Sequence, residues 1–491
     1  MSIYGNWDER RVTRREAIGI GGAAAATLAF GSTRALGAPQ RDPFGELVER
    51  PDQIALPRGF QYRVISTIGE PMSDGKPTPG DPDGMVAVRG PRNLTVLIRN
   101  HELGFQDDHI QGVVGERPFD PAERGGTTAI WVNPARRNVR DYVTSSGTAN
   151  NCAGGGTPWG TWLTCEEDRD PGHGFVFEVL HDDPEGPLTR QPITDMGFFS
   201  HEAVDIDPAT GIAYLTEDDF RGGDVVPGSD PRVSYLYRYL PNDRSRQPGA
   251  LQEGGRLQSP AIEELTTPAE RTADFFSPGQ TFGLVWKDVD PADPPATAEA
   301  QGCIRFNRLE GAHFAGGAFW FDDTVGGEAR LGQVFRLIPG ADEDAPGADT
   351  LELFYEATSS TEYENIDNAF VTPWGDAWFA EDGPGENRVI GITPDGRTYA
   401  FARTIGSEFA GPTFSPDGRT FFLNAQDHGL TYAVWGPFPR QNRARQRRMA
   451  RGRLQGRNAV AISGELREAA ARYGLTELEA AAYDRLGVPL V

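Results

Sequence analysis

The feature that most constrains this chain is a strand pair that keeps returning. Each copy opens on a polar or acidic pair, runs through a turn bearing Pro or Gly, and comes back as an aromatic-rich strand ending near acids. "NCAGGGTPWGTWLTCEED" starts at Asn151, "HEAVDIDPATGIAYLTEDD" at His201 and "LEGAHFAGGAFWFDDT" at Leu309. "DNAFVTPWGDAWFAEDG" follows at Asp367 and "FAGPTFSPDGRTFFLNAQ" at Phe409. Most copies lead into a further strand: "GFVFEVL", "SYLYRYL", "GQVFRLI", "NRVIGIT". Near the N-terminus, "RNLTVLIRNHE" keeps only the strand and its final acid. Alternating strands, turns such as Ser-Pro-Asp-Gly, and repeats of roughly 45 to 60 residues predict an all-β, six-bladed β-propeller over residues 38–436. "FQYRVISTI" (Phe60 to Ile68) is placed to close the ring by joining the last blade. A long β-sandwich is the rival architecture. The 60 Gly and 38 Pro suit many short strands joined by turns.

In a propeller, equivalent positions of successive blades converge on one axis. Aligning the copies puts Cys152, Glu202, Glu310 and Asn368 at one level. It puts Glu166, Glu217, Asp322 and Glu381 at a second, with Glu102 at a similar strand end and Glu408 before the last copy. Carboxylates crowded on one axis repel one another, so they must be protonated or neutralised by cations. Carboxylate and amide oxygens suit Ca²⁺. A thiolate wants a softer or more Lewis-acidic ion such as iron or zinc. Cys152 occupies the ligand level, and Cys165 sits one strand position before Glu166. Cys152 is therefore preferred as the ligand, with a Cys152–Cys165 disulfide as the alternative and Cys303 left over.

The pieces "RNHE" (Arg99 to Glu102), "NCAGGGTPWGTWLTCEE", "HEAVDIDPATGIAYLTEDD", "NRLEG" (Asn307 to Gly311) and "GPTFSPDGRTFFLN" together resemble the PhoX family of alkaline phosphatases, over roughly residues 45 to 436. The resemblance implies a six-bladed propeller with an iron–calcium centre, Fe³⁺ and Ca²⁺, that hydrolyses phosphate monoesters. It implies Cys152, Glu202 and Glu310, then Glu166, Glu217 and Glu381, as metal ligands, and Arg308 as the arginine two residues before a ligand glutamate. A guanidinium fork matches two phosphate oxygens, which agrees with that role; an arginine paired with nearby acids is the alternative. Leu309 stands where a proline is common, and the shorter spacings put substrate range in question. No Gly-x-Ser-x-Gly elbow and no P-loop is present. His101 and His201 precede candidate glutamates and are expected to face the other way along their strands. His313 and His428 lie where they could reach substrate. A lactonase or phosphotriesterase type of calcium propeller, and a non-catalytic propeller braced by calcium, are the alternative functions.

The formal charge of −24 argues against nucleic acid as a partner. Thr13, Arg14 and Arg15, then a weakly apolar run from Ala17 to Phe30 and small residues at Ala35 and Gly37, predict a twin-arginine signal over 1–37. That implies export by the twin-arginine translocase to the periplasm or beyond, with no integral membrane segment. After residue 436 a basic stretch, "NRARQRRMARGRLQGRN", precedes a helical pattern beginning near Ser463, so 437–491 is expected to form a basic and helical extension. A monomer acting on small phosphate esters is the expectation.

Overall fold

The computed structural model describes residues 43–219, 233–342 and 344–439. The twin-arginine run and the C-terminal extension lie outside them. The described residues form six antiparallel sheets set around one axis, plus a small two-stranded sheet. The innermost strands are Pro82–Arg89, Asn151–Gly156, His201–Ile206, Leu309–Ala315, Ile366–Val371 and Phe409–Phe414, heading blades 1 to 6 in that order. Each is followed outward by its hairpin partner: Thr95–His101, Trp162–Glu166, Ala213–Glu217, Ala318–Asp323, Ala377–Glu381 and Phe421–Ala425. The blades are unequal, because a long excursion carrying the helix Pro294–Ala300 separates the third from the fourth. No helix among the described residues is long and apolar enough to cross a membrane.

The ring closes as the sequence suggests. Gln61–Thr67 pairs antiparallel with Leu430–Trp435 and becomes the outer strand of blade 6. Joining the two chain ends in one sheet removes the open edges that a linear array of blades would expose. Phe60 and Phe44 lead into this closure and pack edge-on with Phe401 and Phe438. Burying each such ring contributes on the order of 1.5–3 kcal/mol.

The core lies between blades rather than within one layer. One apolar cluster joins Cys165 and Leu163 of blade 2 to Val204, Leu215 and Tyr237 of blade 3. Others join blades 3 and 4, 4 and 5, and 5 and 6 in the same way. Around the axis the innermost strands come so close that side chains are excluded. A Cβ on Gly155 would sit 1.5 Å from the Val204 carbonyl oxygen, and one on Gly311 would sit 2.1 Å from the Ala369 nitrogen. Glycine at these two places is a packing requirement set by backbone meeting backbone.

Candidate metal centre

All six innermost strands share one irregularity. Each loses register against its hairpin partner near its start. In blade 2, Asn151 faces Glu166 and Gly154 faces Thr164, so Cys152 and Ala153 together face the single residue Cys165. This is a β-bulge, which re-aims a side chain that a regular strand would direct elsewhere. The first bulge residue is Asp83 in blade 1, Cys152 in blade 2, Glu202 in blade 3 and Glu310 in blade 4. Asp367 takes the same place in blade 5.

A second ring comes from the residue just after each hairpin partner strand. In blades 1 to 3 these are Glu102, Glu167 and Asp218, and in blade 5 Asp382. The two rings meet. Cys152, Glu167 and Glu202 offer ligand atoms all within 4.8 Å of one another; so do Glu167, Asp218 and Glu310, and so do Glu202, Glu310 and Asp367. The triads share members, so one thiol and five carboxyls form a continuous cage. Glu102 adjoins it, hydrogen-bonded to Asp83 and accepting from Gln426 Nε2 at 2.7 Å.

The electrostatics of the cage are those of a site short of positive charge. Burial first, then the neighbouring acids, push the carboxyls of Asp83, Glu167, Glu202 and Glu310 well above their ordinary range. Burial lifts Glu102 and Asp367 to about 7. Burial and the charges of Glu202 and Glu167 also push the Cys152 thiol up, and Sγ donates to the His201 carbonyl at 3.2 Å. Glu202 Oε1 is buried with no hydrogen-bond partner. An orphaned carboxylate oxygen beside a thiol and four more acids is a donor set that could hold a cation.

A cationic side chain borders the cage. Arg308 approaches Asp218 through Nε at 3.0 and 3.1 Å and through Nη2 at 2.5 Å. Nη2 also lies 2.9 Å from Glu310 Oε1. The Arg308 side chain is 26% exposed while its carboxylate partners are 0% and 8% exposed, so the guanidinium forms a solvent-facing lip over buried acids. Its backbone is left-handed, with φ 57°. Asp81, Asn150 and Asn365, which precede other innermost strands, share that conformation, but Asp and Asn adopt it readily and Arg does not.

Not every residue singled out in the sequence joins this group. Cys152, Glu202 and Glu310 are brought together, and Glu102 stands next to them. Glu166, Glu217 and Glu381 are not in the cage; they brace their own blades. Glu166 accepts from Ala149 N at 3.0 Å and pairs with His173 at 2.8 Å. Glu217 accepts from Tyr235 N and the Tyr237 hydroxyl at 3.1 and 2.9 Å. Glu381 takes a fork from Arg388 at 2.8 and 2.7 Å. Their immediate successors Glu167, Asp218 and Asp382 turn to the axis instead, because successive residues of an extended chain face opposite ways. Asn368 is likewise one residue past the axial Asp367. It bridges blades, accepting from Gly411 N at 2.7 Å and donating to Asp367 Oδ2 at 2.9 Å. Asp322, aligned in the sequence with Glu166, faces the bulge from the second strand and is fully buried with both oxygens unpartnered.

His101 donates to the Gly80 carbonyl at 2.6 Å and His201 to the Gly197 carbonyl at 3.0 Å, so both serve packing. His313 lines a cavity of about 160 Å³ farther along the channel, where Nδ1 accepts from Val371 N. All three cysteines are free and buried, so no disulfide joins Cys152 to Cys165.

A six-bladed propeller whose axis carries a buried cage of one thiol and five carboxyls defines the general class of this molecule. The family model described as alkaline phosphatase PhoX matches residues 42–429, and the chain belongs to that family. No curated protein matches it. Among solved structures, a putative gluconolactonase is 13% identical, covers 78% of this chain and 94% of its own, and superposes with a TM-score of 0.40. A gluconolactonase from Xanthomonas campestris gives 11%, 81%, 99% and 0.42. The PQQ domain of a pyranose dehydrogenase from Coprinopsis cinerea gives 9%, 79%, 98% and 0.37.

Proposed function

We propose that this member of the PhoX alkaline phosphatase family is a metal-dependent phosphomonoesterase, working at an iron–calcium centre held in the cage. The reading is supported chiefly by one observation: a cysteine and five carboxyls from four blades converge within metal-ligand reach beside an arginine. Cys152 with Glu202 and Glu310 would hold iron, since a thiolate suits iron and not calcium. Glu167, Asp218 and Asp367, with Asp83 and Glu102 beside them, would hold calcium through oxygen. Bound cations would supply Lewis acidity toward the phosphoryl group and an activated nucleophile.

The chain's own residues do the rest. The Arg308 guanidinium binds the phosphate dianion at the solvent-facing lip and opposes the charge that builds on its oxygens in the transition state. Asp218 and Glu310 hold that guanidinium in place, so its orientation is set before substrate arrives. The left-handed backbone at Arg308 directs the side chain over the cage instead of along the strand that follows.

Elemental analysis of protein purified without added metal, with phosphatase activity assayed on the same sample, tests this. Iron together with calcium is expected, and phosphate release from a simple monoester should disappear on chelation. A well-folded sample that holds no metal and releases no phosphate would sink the reading. Twin-arginine export belongs to the same proposal. Lysines in place of both Arg14 and Arg15 are expected to keep the protein in the cytoplasm, and unaltered export of that variant would count against it.

A further inference from the structure

In a regular strand, successive carbonyls point to opposite sides. At the blade 2 bulge, two successive carbonyls point the same way, toward a single side chain. Asn100, on the second strand of blade 1, donates Nδ2 to the Cys152 carbonyl at 2.9 Å and to the Ala153 carbonyl at 2.7 Å. Its Oδ1 accepts from Trp162 Nε1 at 2.8 Å and Thr164 Oγ1 at 2.9 Å. Asn100 is fully buried. Both of its amide protons and its oxygen are engaged, so the side chain has one orientation available.

The arrangement recurs around the ring. In their own blades Asn100, Thr216 and Asn424 all stand on the second strand at the level of the bulge. Each reaches across to the bulge of the next blade. Thr216 Oγ1 donates to the Glu310 carbonyl at 2.7 Å, and Asn424 Nδ2 to the Asp83 carbonyl at 2.6 Å. The residues whose carbonyls are held include Cys152, Glu310 and Asp83, which lead their bulges; Cys152 and Glu310 belong to the cage and Asp83 stands beside it. Fixing the carbonyl fixes the peptide plane, and with it the direction of the side chain on that Cα.

We propose that Asn100 is a positioning residue that aims the Cys152 sulfur into the metal cage, one of a ring of cross-blade clasps in which Thr216 does the same for Glu310. The inference rests on the metal-centre reading of Cys152. Such supports of ligand orientation are typically worth about 10–100-fold in metal affinity.

The test uses Co²⁺ as the probe, added to the purified full chain, because a cobalt–thiolate bond produces a charge-transfer absorption that carboxylates alone do not. The wild type should show that absorption and Cys152→Ser should lack it. Asn100→Asp keeps the size and the acceptor for Trp162 and Thr164, but sets carboxylate oxygen against the two bulge carbonyls. It should lose the thiolate absorption or bind cobalt about 10–100-fold more weakly. Thr216→Val is nearly isosteric, which guards against a variant that merely fails to fold. It should weaken cobalt binding while leaving the thiolate absorption in place, since its clasp is on Glu310 and not on Cys152. Wild-type protein that binds cobalt without a thiolate signal would overturn the metal reading of Cys152 and this inference with it. A full signal in the wild type, with unchanged signal and affinity in Asn100→Asp, would overturn the role of Asn100, and unchanged affinity in Thr216→Val would overturn the clasp on Glu310.

Discussion

Replacing Arg308 with alanine is expected to lower kcat/KM for a simple phosphate monoester by on the order of 10²–10³-fold, the usual cost of removing one charged donor that faces developing negative charge. The guanidinium is the group best placed for this. It lies at the rim, partly exposed, with Asp218 and Glu310 holding two of its edges. Burial opposes its charge, but Glu310 and Asp218 outweigh burial and raise its already high pKa further, so it stays charged. Losing it also leaves Asp218 and Glu310 without a counter-charge, so the alanine variant needs its metal content measured beside its activity. Arg308→Lys separates the two effects. It restores a positive charge near the acids but not the planar fork, so metal content should recover while most of the activity does not. Activity of Arg308→Ala within about twofold of wild type, at equal metal content, would remove Arg308 from the phosphate site.

The second large effect concerns the cage without its cations. In the metal-free fold the carboxyls of Glu102 and Asp367 sit at about 7, raised first by burial, and Glu202, Glu310, Glu167 and Asp83 are raised as well. In an unfolded chain all of them would titrate near the ordinary carboxylate value, about 4. A folded value above the unfolded one means that stability is fully present below the unfolded value and is lost as pH rises through the folded one. Chelated protein should therefore be less stable at pH 8 than at pH 5, by a few kcal/mol once the coupled groups are taken together. Restoring cations should abolish or reverse that slope, because the ionised carboxylates are then the bound form. Thermal unfolding at the two pH values, with chelator and with metals returned, reads this directly. A chelated sample more stable at pH 8 than at pH 5 would mean that the acids are compensated by something other than cations.

The ring, the closing strand and half of the cage could be read from the sequence because they depend on contacts between near neighbours in the chain. Alternation, a turn and a returning aromatic strand mark each hairpin, and "FQYRVISTI" has the same alternation without a hairpin partner of its own. Cys152, Glu202 and Glu310 were found because each follows directly on a strand start that the repeat makes visible. Asp83 was missed because the first unit was recognised from its second strand alone, "RNLTVLIRNHE", so its innermost strand, Pro82–Arg89, was never aligned with the other copies.

Glu167 and Asp218 were passed over for Glu166 and Glu217, and Asp367 for Asn368, by a slip of one residue each time. The local sequence offers two adjacent polar groups at each of these places and does not say which one faces the axis. That choice belongs to the hydrogen-bond register and to the bulge, where one residue of offset moves a side chain from one face to the other. The meeting of Asp83 with Asn368, 285 positions apart, and of four blades around one cage, exists only after the ring has closed. The sequence by itself determined that this chain makes hairpins with acids at their axial ends. Ring closure and bulge register decided which of those acids meet in one cage, because the face a side chain takes is set by pairing across strands and not by its neighbours along the chain.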